Sequence, residues 1–461
     1  MKSYWKIILV LACVGTITIL SPAIRAQESA AQGNPAQAAT PAVTLDQLEQ
    51  MAAAGNPTLK QASAGVRAAA GKSRQAGLWP NPTVGYAGEE IRGGSFGGGQ
   101  HGFFIQQDIV LGGKLGLSQK IFQAEGKQAE AEVEEQRMRV ENGVRVAFYR
   151  TLAAQELVEV CRELRDEAQQ AVKTSDLLAN VGQSDEPDLL EAQVEADNAD
   201  LALVTAEQKW QRDWRILAAV VGRPEMPLTL LEGSLESPPD LNLAEMLEKI
   251  LTESPAVKIS QLGLERAQAS LTREKRENVP DLTLRAGYMN NREAIDPAGH
   301  AVGGEAFVEA GVHLRIFDRN QGNIETVDAN LERARLEVDR VKLGLRQQAA
   351  PFFQNYATAR ATVERYRAQT LPNAKRAYEL YLHKYHEGAA AYPQVLIAQR
   401  TFFQLQASYI AALRDLWTNA AAIQGLLLTD GLELSASAPG MDRPMPGMIM
   451  QAQEFQASDG R

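Results

Sequence analysis

The chain carries one pattern of breaks and runs twice, about 200 residues apart, a period far longer than any solenoid repeat. The first copy has Asn56-Pro57, then Trp79-Pro80-Asn81-Pro82 opening a strand-like stretch, a Gly-rich gap, and a second strand-like stretch ending at Leu111. Gly112-Gly113-Lys114 leads into a long Ala/Glu/Gln-rich run, broken at Val181-Gly182-Gln183-Ser184 and resumed to about Gly222. The second copy has Ser254-Pro255, Val279-Pro280-Asp281, a Gly-bearing gap and a strand ending at Phe317. Asp318-Arg319-Asn320-Gln321-Gly322-Asn323 follows, then a long run, the break Glu387-Gly388-Ala389-Ala390, and a last run to about Leu428. Each half reads as helix, strand pair, long helix, turn, long helix. Neither half can bury its surfaces alone, because a two-stranded ribbon needs further strands or a covering layer. The pattern therefore predicts an assembly and a membrane.

The ends of the chain bound where it works. Residues 1–26 read as a signal peptide, with Lys2 and Lys6 ahead of an apolar stretch from Ile7 to Leu20. Small residues at Ser21-Pro22-Ala23 or Ile24-Arg25-Ala26 suit cleavage. Cys13 would be the lipidation site of a lipoprotein, but it sits inside the apolar run and Val10, not Leu, stands three residues before it. With Cys13 removed, Cys161 is left alone as a small apolar residue, so no disulfide framework is expected. Residues 27–42 form a flexible lead-in, 43–230 the first repeat, 231–430 the second, and 431–461 a disordered tail. The net charge of -10, with both signs interleaved and no basic stripe, argues against a nucleic-acid partner. After the leader no stretch of 18 apolar residues occurs, so a membrane would be crossed by strands.

Strands are expected over about 82–91, 102–111, 281–290 and 304–317. The last is the sharpest: Ala306, Val308, Ala310, Val312, Leu314 and Ile316 alternate with Glu305, Phe307, Glu309, Gly311, His313 and Arg315. One face is wholly apolar and the other mostly charged, as in a barrel strand with lipid on one side and a watery lumen on the other. Glu305, Glu309, His313 and Arg315 are then lumen-facing. In the earlier strand Gln107 is a blemish on an otherwise apolar face of Phe103, Ile105 and Ile109. Four strands cannot close a barrel, since the edges would leave backbone unpaired in lipid; three chains of four strands would. The soluble alternative is a pair of hairpins packed on helices.

Long helices are expected over about 114–181, 186–221, 321–386 and 392–428. The first alone would span nearly 100 Å at 1.5 Å per residue. Apolar positions such as Leu190, Val194, Leu201 and Val204 form narrow seams suited to side-by-side, coiled-coil-like packing. Asp185 suits a cap and Pro187 a first turn, while Pro351 and Pro372 should bend the second outward run or change its pairing.

Over essentially the whole mature chain the sequence resembles the TolC-like outer-membrane factor family. The two-fold repeat, the strand pairs and the return helix from Ala390 through Tyr392-Pro393 to Thr401 carry the resemblance. The octet from Phe317 to Ile324 looks most like the cobalt–zinc–cadmium efflux branch. The resemblance implies a mainly α, internally duplicated fold with a membrane β-barrel: a homotrimer whose twelve strands close the barrel and whose helices continue it across the periplasm. It implies a passive, gated duct docked on a periplasmic adaptor and an inner-membrane resistance–nodulation–division pump, serving heavy-metal cations, with drug efflux or type I secretion as alternatives. A soluble periplasmic coiled-coil structural or adaptor protein is the alternative from another class.

The same resemblance assigns sites. Val181, Gly182, Gln183, Ser184, Glu387, Gly388, Ala389 and Ala390 form the adaptor-docking tips, with Asp185, Glu186, Asp188 and Glu387 as candidate entrance carboxylates. Gly112, Gly113, Asp318, Arg319, Asn320, Gly322 and Asn323 redirect the chain from barrel to helix. A calcium-loop reading of that last stretch fails, because Gly322 stands where Asp or Asn is needed and Ala329 where Glu is needed. His383 and His386 share a helical face near a tip but lack a third metal ligand. Met441, Met445, Met448 and Met450 could hold soft Cu(I), though a disordered tail is the simpler reading. No phosphate loop, nucleophile elbow or zinc-protease motif occurs, so neither a cofactor nor an enzyme activity is expected.

Overall fold

The computed structural model describes residues 42–91, 98–180, 186–295, 298, 300–387 and 392–433, all within one compact unit, Pro41–Arg461. The leader, the tail, and the tip residues 181–185 and 388–391 lie outside the described residues. The first half comprises α1 (Leu45–Gly55), α2 (Pro57–Ala76), β1 (Thr83–Glu89), β2 (Gln100–Ile109), α3 (Lys114–Asn180) and α4 (Glu186–Val221). The second comprises α5 (Leu243–Glu253), α6 (Pro255–Arg276), β3 (Leu282–Ile295), β4 (Ala301–Val312), α7 (Gln321–Arg365), α8 (Leu371–His386) and α9 (Tyr392–Gln424).

Each half opens with two helices rather than the expected one, and the repeated X-Pro pair is the joint. Pro57 and Pro255 are first residues of their helices, where a missing N–H costs nothing. The Asn56 side chain caps the new helix by accepting the Thr58 N–H at 2.9 Å, and its amide donates to the Val220 carbonyl at 2.9 Å. One residue thus ends α1, starts α2 and ties both to the end of α4.

The long helices form a layer. The 67-residue α3 packs on α4 and on α9, and α9 packs on α7, giving the order α4, α3, α9, α7. Its core includes Val144, Leu152, Leu217, Leu413 and Ile423, each nearly devoid of exposure; each such side chain contributes about 1.5–3 kcal/mol by leaving water. The connector over residues 223–242 crosses one face of this layer as a strap. Gln155 exchanges two hydrogen bonds with the Leu231 backbone. Trp417 donates to the Leu235 carbonyl at 2.8 Å, and Tyr356 donates to the Pro239 carbonyl at 2.8 Å. Buried polar tips here are paired, as desolvation requires.

The expected run 321–386 is divided. Pro351 lies inside α7 without ending it, but Tyr366–Thr370 is a π-helical turn. There the Leu371 N–H donates to the Tyr366 carbonyl. Pro372 has no N–H and its ring crowds the preceding turn; a wider turn relieves both problems. The strap braces this point: Arg367 donates to the Glu236 carbonyl at 2.6 Å and pairs with its carboxylate, which also accepts from the Tyr409 hydroxyl at 2.9 Å.

The four strands form one antiparallel sheet in the order β1-β2-β3-β4. β2 pairs with β3 from Gln100↔Asn291 to Ile109↔Leu282, so the sheet joins the two halves. Among the described residues, β1 and β4 are edges with no further partner strand. Two strand limits differ from expectation by five residues. β4 ends at Val312, opposite Leu282, rather than at residue 317: Pro280 precedes β3 and offers no donor, so residues past 312 have nothing to pair with. β3 extends past residue 290 to Ile295, with a register irregularity between Asn291 and Ile295, where the alternation has given way to polar residues.

Candidate functional site

Alternation puts Val84, Tyr86, Phe103, Ile105, Leu284, Tyr288, Val308 and Val312 on one face of the sheet. That face is open: Val84 is 72%, Phe103 70% and Val308 81% exposed. No helix among the described residues packs on it, so the hairpins are not the helix-covered ones of the soluble alternative. A contiguous apolar face left bare, beside two unpaired edges, is unstable in water and stable in lipid once the edges close. Amphipathic aromatics bound the face. Tyr86 bonds the His101 ring and meets Phe103 edge-on at 5.9 Å. At the other end Trp79 is 58% exposed, the placement tryptophan favours at a lipid–water boundary. Gln107 has a role after all: its amide donates to the Pro80 carbonyl at 2.9 Å, at the foot of the edge hairpin.

The opposite face carries Glu305 and Glu309 together with Phe104, Arg285 and Phe307. The Arg285 guanidinium lies 4.2 Å from the Phe104 ring centre and 5.5 Å from that of Phe307, with Glu309 at 3.4 Å. Cation–π attraction and the carboxylate fix its direction. Gly85 and Gly287 make room, since a Cβ would lie 2.5 Å from the Phe104 ring and 2.4 Å from the Phe307 ring respectively. His313 and Arg315 fall beyond β4. His313 is exposed, whereas Arg315 turns back to Glu277 at 2.5 Å.

That contact belongs to the turn between sheet and helices. Gly112 and Gly113 have φ of 70° and 69°, the left-handed region that glycine enters freely. Asn320 occupies the equivalent place with φ 60°, tolerable for Asn because its amide bonds locally. Asp318 accepts the Asn320 N–H at 2.9 Å, and Asn323 donates to the Asn320 side chain at 2.6 Å. Arg319 donates to the Ile316 carbonyl at 3.1 Å, while Gly322 lies in the first turn of α7. Lys114, 4% exposed, pairs with Asp281 at 2.9 Å and Glu277 at 3.8 Å. Asp281 also accepts the Leu111 N–H at 2.9 Å, and Glu274 receives the Asn320 amide at 2.7 Å. Asp281 and Glu277 thus bind the two halves together, while Glu274 fastens Asn320 within the second half. Sequence reading missed them as site residues, although Pro280-Asp281 was visible as a strand opener.

At the far end of the helices the structure describes only part of the expected tips. Glu186 and Asp188 occupy the first turn of α4, where carboxylates favour the helix dipole. Glu387 is the C-cap residue following α8 and lies 3.3 Å from His383. His386 is the last residue of α8. Val181, Gly182, Gln183, Ser184, Asp185, Gly388, Ala389 and Ala390 lie outside the described residues. Among the described residues no group of three or more His, Cys, Asp or Glu could hold a metal ion. Behind the tips the helix pairs are cross-linked. The Tyr378 hydroxyl donates to Glu167 at 2.9 Å, Gln399 donates to the same carboxylate at 3.2 Å, and Arg400 bonds the buried Glu195 at 2.8 Å. Burial, then the Glu167 charge, holds the Tyr378 hydroxyl far above its ordinary range. Burial first and Tyr385 next push Tyr392 up to about 12.

Comparison with known proteins agrees with this geometry. The chain is 27% identical over 393 residues to the cobalt-zinc-cadmium resistance protein CzcC of Cupriavidus metallidurans, covering 85% of this chain and 91% of that one. A crystal structure of CusC superimposes with a TM-score of 0.68 at 16% identity, over 83% of this chain and 91% of CusC. The outer membrane protein VceC of Vibrio cholerae gives 0.66 at 18% identity, over 84% and 96%. No helix among the described residues is long and apolar enough to cross a membrane. The model of the outer membrane efflux protein family matches residues 48–223 and 246–427, once on each half of the duplication, and the chain belongs to that family.

Proposed function

We propose that three copies of this chain close a twelve-stranded barrel in the outer membrane and continue it as a helical tunnel into the periplasm. The single observation that carries the reading is the four-stranded sheet with a bare apolar face and two unpaired edges. One copy is unstable in lipid, and joining β4 of each copy to β1 of the next removes every edge. Glu305 and Glu309, with Arg285, then face the lumen. The apolar seam of α4, with Leu190, Leu201 and Val204 all more than half exposed, lies at the edge of the helical layer where a neighbouring copy packs.

The duct serves a tripartite exporter, with a periplasmic adaptor at the helix tips and a resistance–nodulation–division pump supplying energy. Heavy-metal cations are the cargo; the similarity to CzcC across both halves supports this choice over drug efflux or type I secretion. Deleting the gene and challenging the strain with Zn, Cd, Co, Cu and common antibiotics tests it. Lost metal tolerance is expected. Unchanged metal tolerance with new drug sensitivity would replace the metal assignment while leaving the duct in place.

A further inference from the structure

The helical layer has a second face. Gln155, Trp214, Tyr356 and Trp417 reach the connector on one side. Helical periodicity turns Arg150, Arg212, Thr358 and Thr418 away from it. On that far side two grooves meet. One, of about 690 Å³, runs between α3, α9 and α7 and is lined by neutral polar side chains such as Asn355, Thr358, Thr362 and Asn419. The other, of about 500 Å³, runs between α4, α3 and α9. Arg150 and Asp415 border both.

The charges in these grooves do not cancel. Asp213 is held by Arg212 next to it, through bonds of 2.9 and 2.7 Å to one carboxylate oxygen. Asp415 is held by Arg414 in the same way, with the same two distances. The repeat thus places one Arg-Asp couple on each return helix, and Arg150 stands between them on α3. Arg150 is exposed and makes no ion pair among the described residues. A neighbouring copy cannot supply a carboxylate from the side, because α3 is flanked within its own chain by α4 and α9.

We propose that Arg150 is the centre of an anion-binding girdle on the wall of the tunnel, taking carboxylate, phosphate or sulfate groups of molecules that pass through it. The proposal rests on the duct reading, which makes the face away from the connector the inner one and repeats Arg150 three times around it. A guanidinium fork meets an oxyanion with two parallel bonds. Threonine and asparagine groups nearby add neutral donors, and the paired aspartates leave the site a net positive charge. A metal cation would then pass this level more readily with anionic ligands than bare.

The test uses the full-length protein reconstituted in planar lipid bilayers, with inorganic pyrophosphate as blocker. Wild-type current should be blocked in a concentration-dependent way, and Arg150→Gln should raise the half-blocking concentration at least tenfold. Arg150→Lys, which keeps the charge and loses the fork, should lie between them. Arg360→Gln, on the connector side where Arg360 pairs with Asp240 and Glu364, should match wild type. A channel whose block is unchanged in Arg150→Gln, or equally weakened by Arg360→Gln, overturns the girdle alone. A protein that forms no channel overturns the duct reading and the girdle with it.

Discussion

Lys114 shows what the turn from sheet to helix requires of one side chain. It is nearly buried, and its partners Asp281 and Glu277 come from the other half of the repeat. Lys114→Met leaves those carboxylates short of a cation. Because Asp281 is 37% exposed, the cost falls to about 2 kcal/mol, below that of a fully buried pair, readable as earlier thermal unfolding. Gly287→Ala acts by crowding: its Cβ would lie 2.7 Å from the Phe103 carbonyl oxygen as well as against the Phe307 ring. Backbone cannot swing away as a ring can, so a loss of about 1–3 kcal/mol is expected, seen as assemblies that dissociate at lower temperature. Glu132 on α3 gives a pH test. Burial, then Glu135 and Glu125, raise its carboxyl above the ordinary 4.5, against a smaller pull from Arg266. A raised folded-state value means that stability is complete below pH 4.5 and falls as pH rises through the raised value. Glu132→Gln should therefore stabilise the protein at pH 7 and lose that advantage towards pH 4, as measured by melting temperature against pH.

At the scale of elements, the division between what sequence shows and what it hides follows the range of the deciding contacts. The alternation from Glu305 to Val312 is legible because a strand with two different faces repeats every second residue. Its end is not legible, since pairing stops where β3 begins after Pro280, a partner some thirty residues away in sequence. The same holds for Arg315, which reads as the next charged residue in the alternation and instead answers Glu277. Asn56-Pro57 and Ser254-Pro255 are visible as repeat markers, yet only packing shows that each separates two helices. The cross-links behind the tips, Tyr378 to Glu167 and Arg400 to Glu195, join residues more than 200 positions apart and leave no local pattern. They do give a prediction for the helix pairs. Tyr378→Phe combined with Arg400→Gln should speed amide hydrogen exchange in α8 and α9 near the tip, and leave the α3 core around Leu152 unchanged. Equal rates in both would show that these bonds do not hold the pairs together.

For the whole molecule, duplication matters because it places two strands and two long helices in each half and then fuses the halves through β2 and β3. The result is a sheet that is complete on one face and in its middle, and incomplete at both edges. Every feature that a soluble protein would correct is left uncorrected here: the bare valines and aromatics, the unpaired β1 and β4, and the exposed seam on α4. On the proposed reading, three copies closing one barrel in a membrane would remove these faults together. The most direct measurement is the state of the full-length protein in cell fractions. The account predicts that it stays with outer membranes through osmotic shock, needs detergent for release, and then runs as a heat-resistant assembly of three chains. Recovery as a soluble single chain after osmotic shock would contradict it.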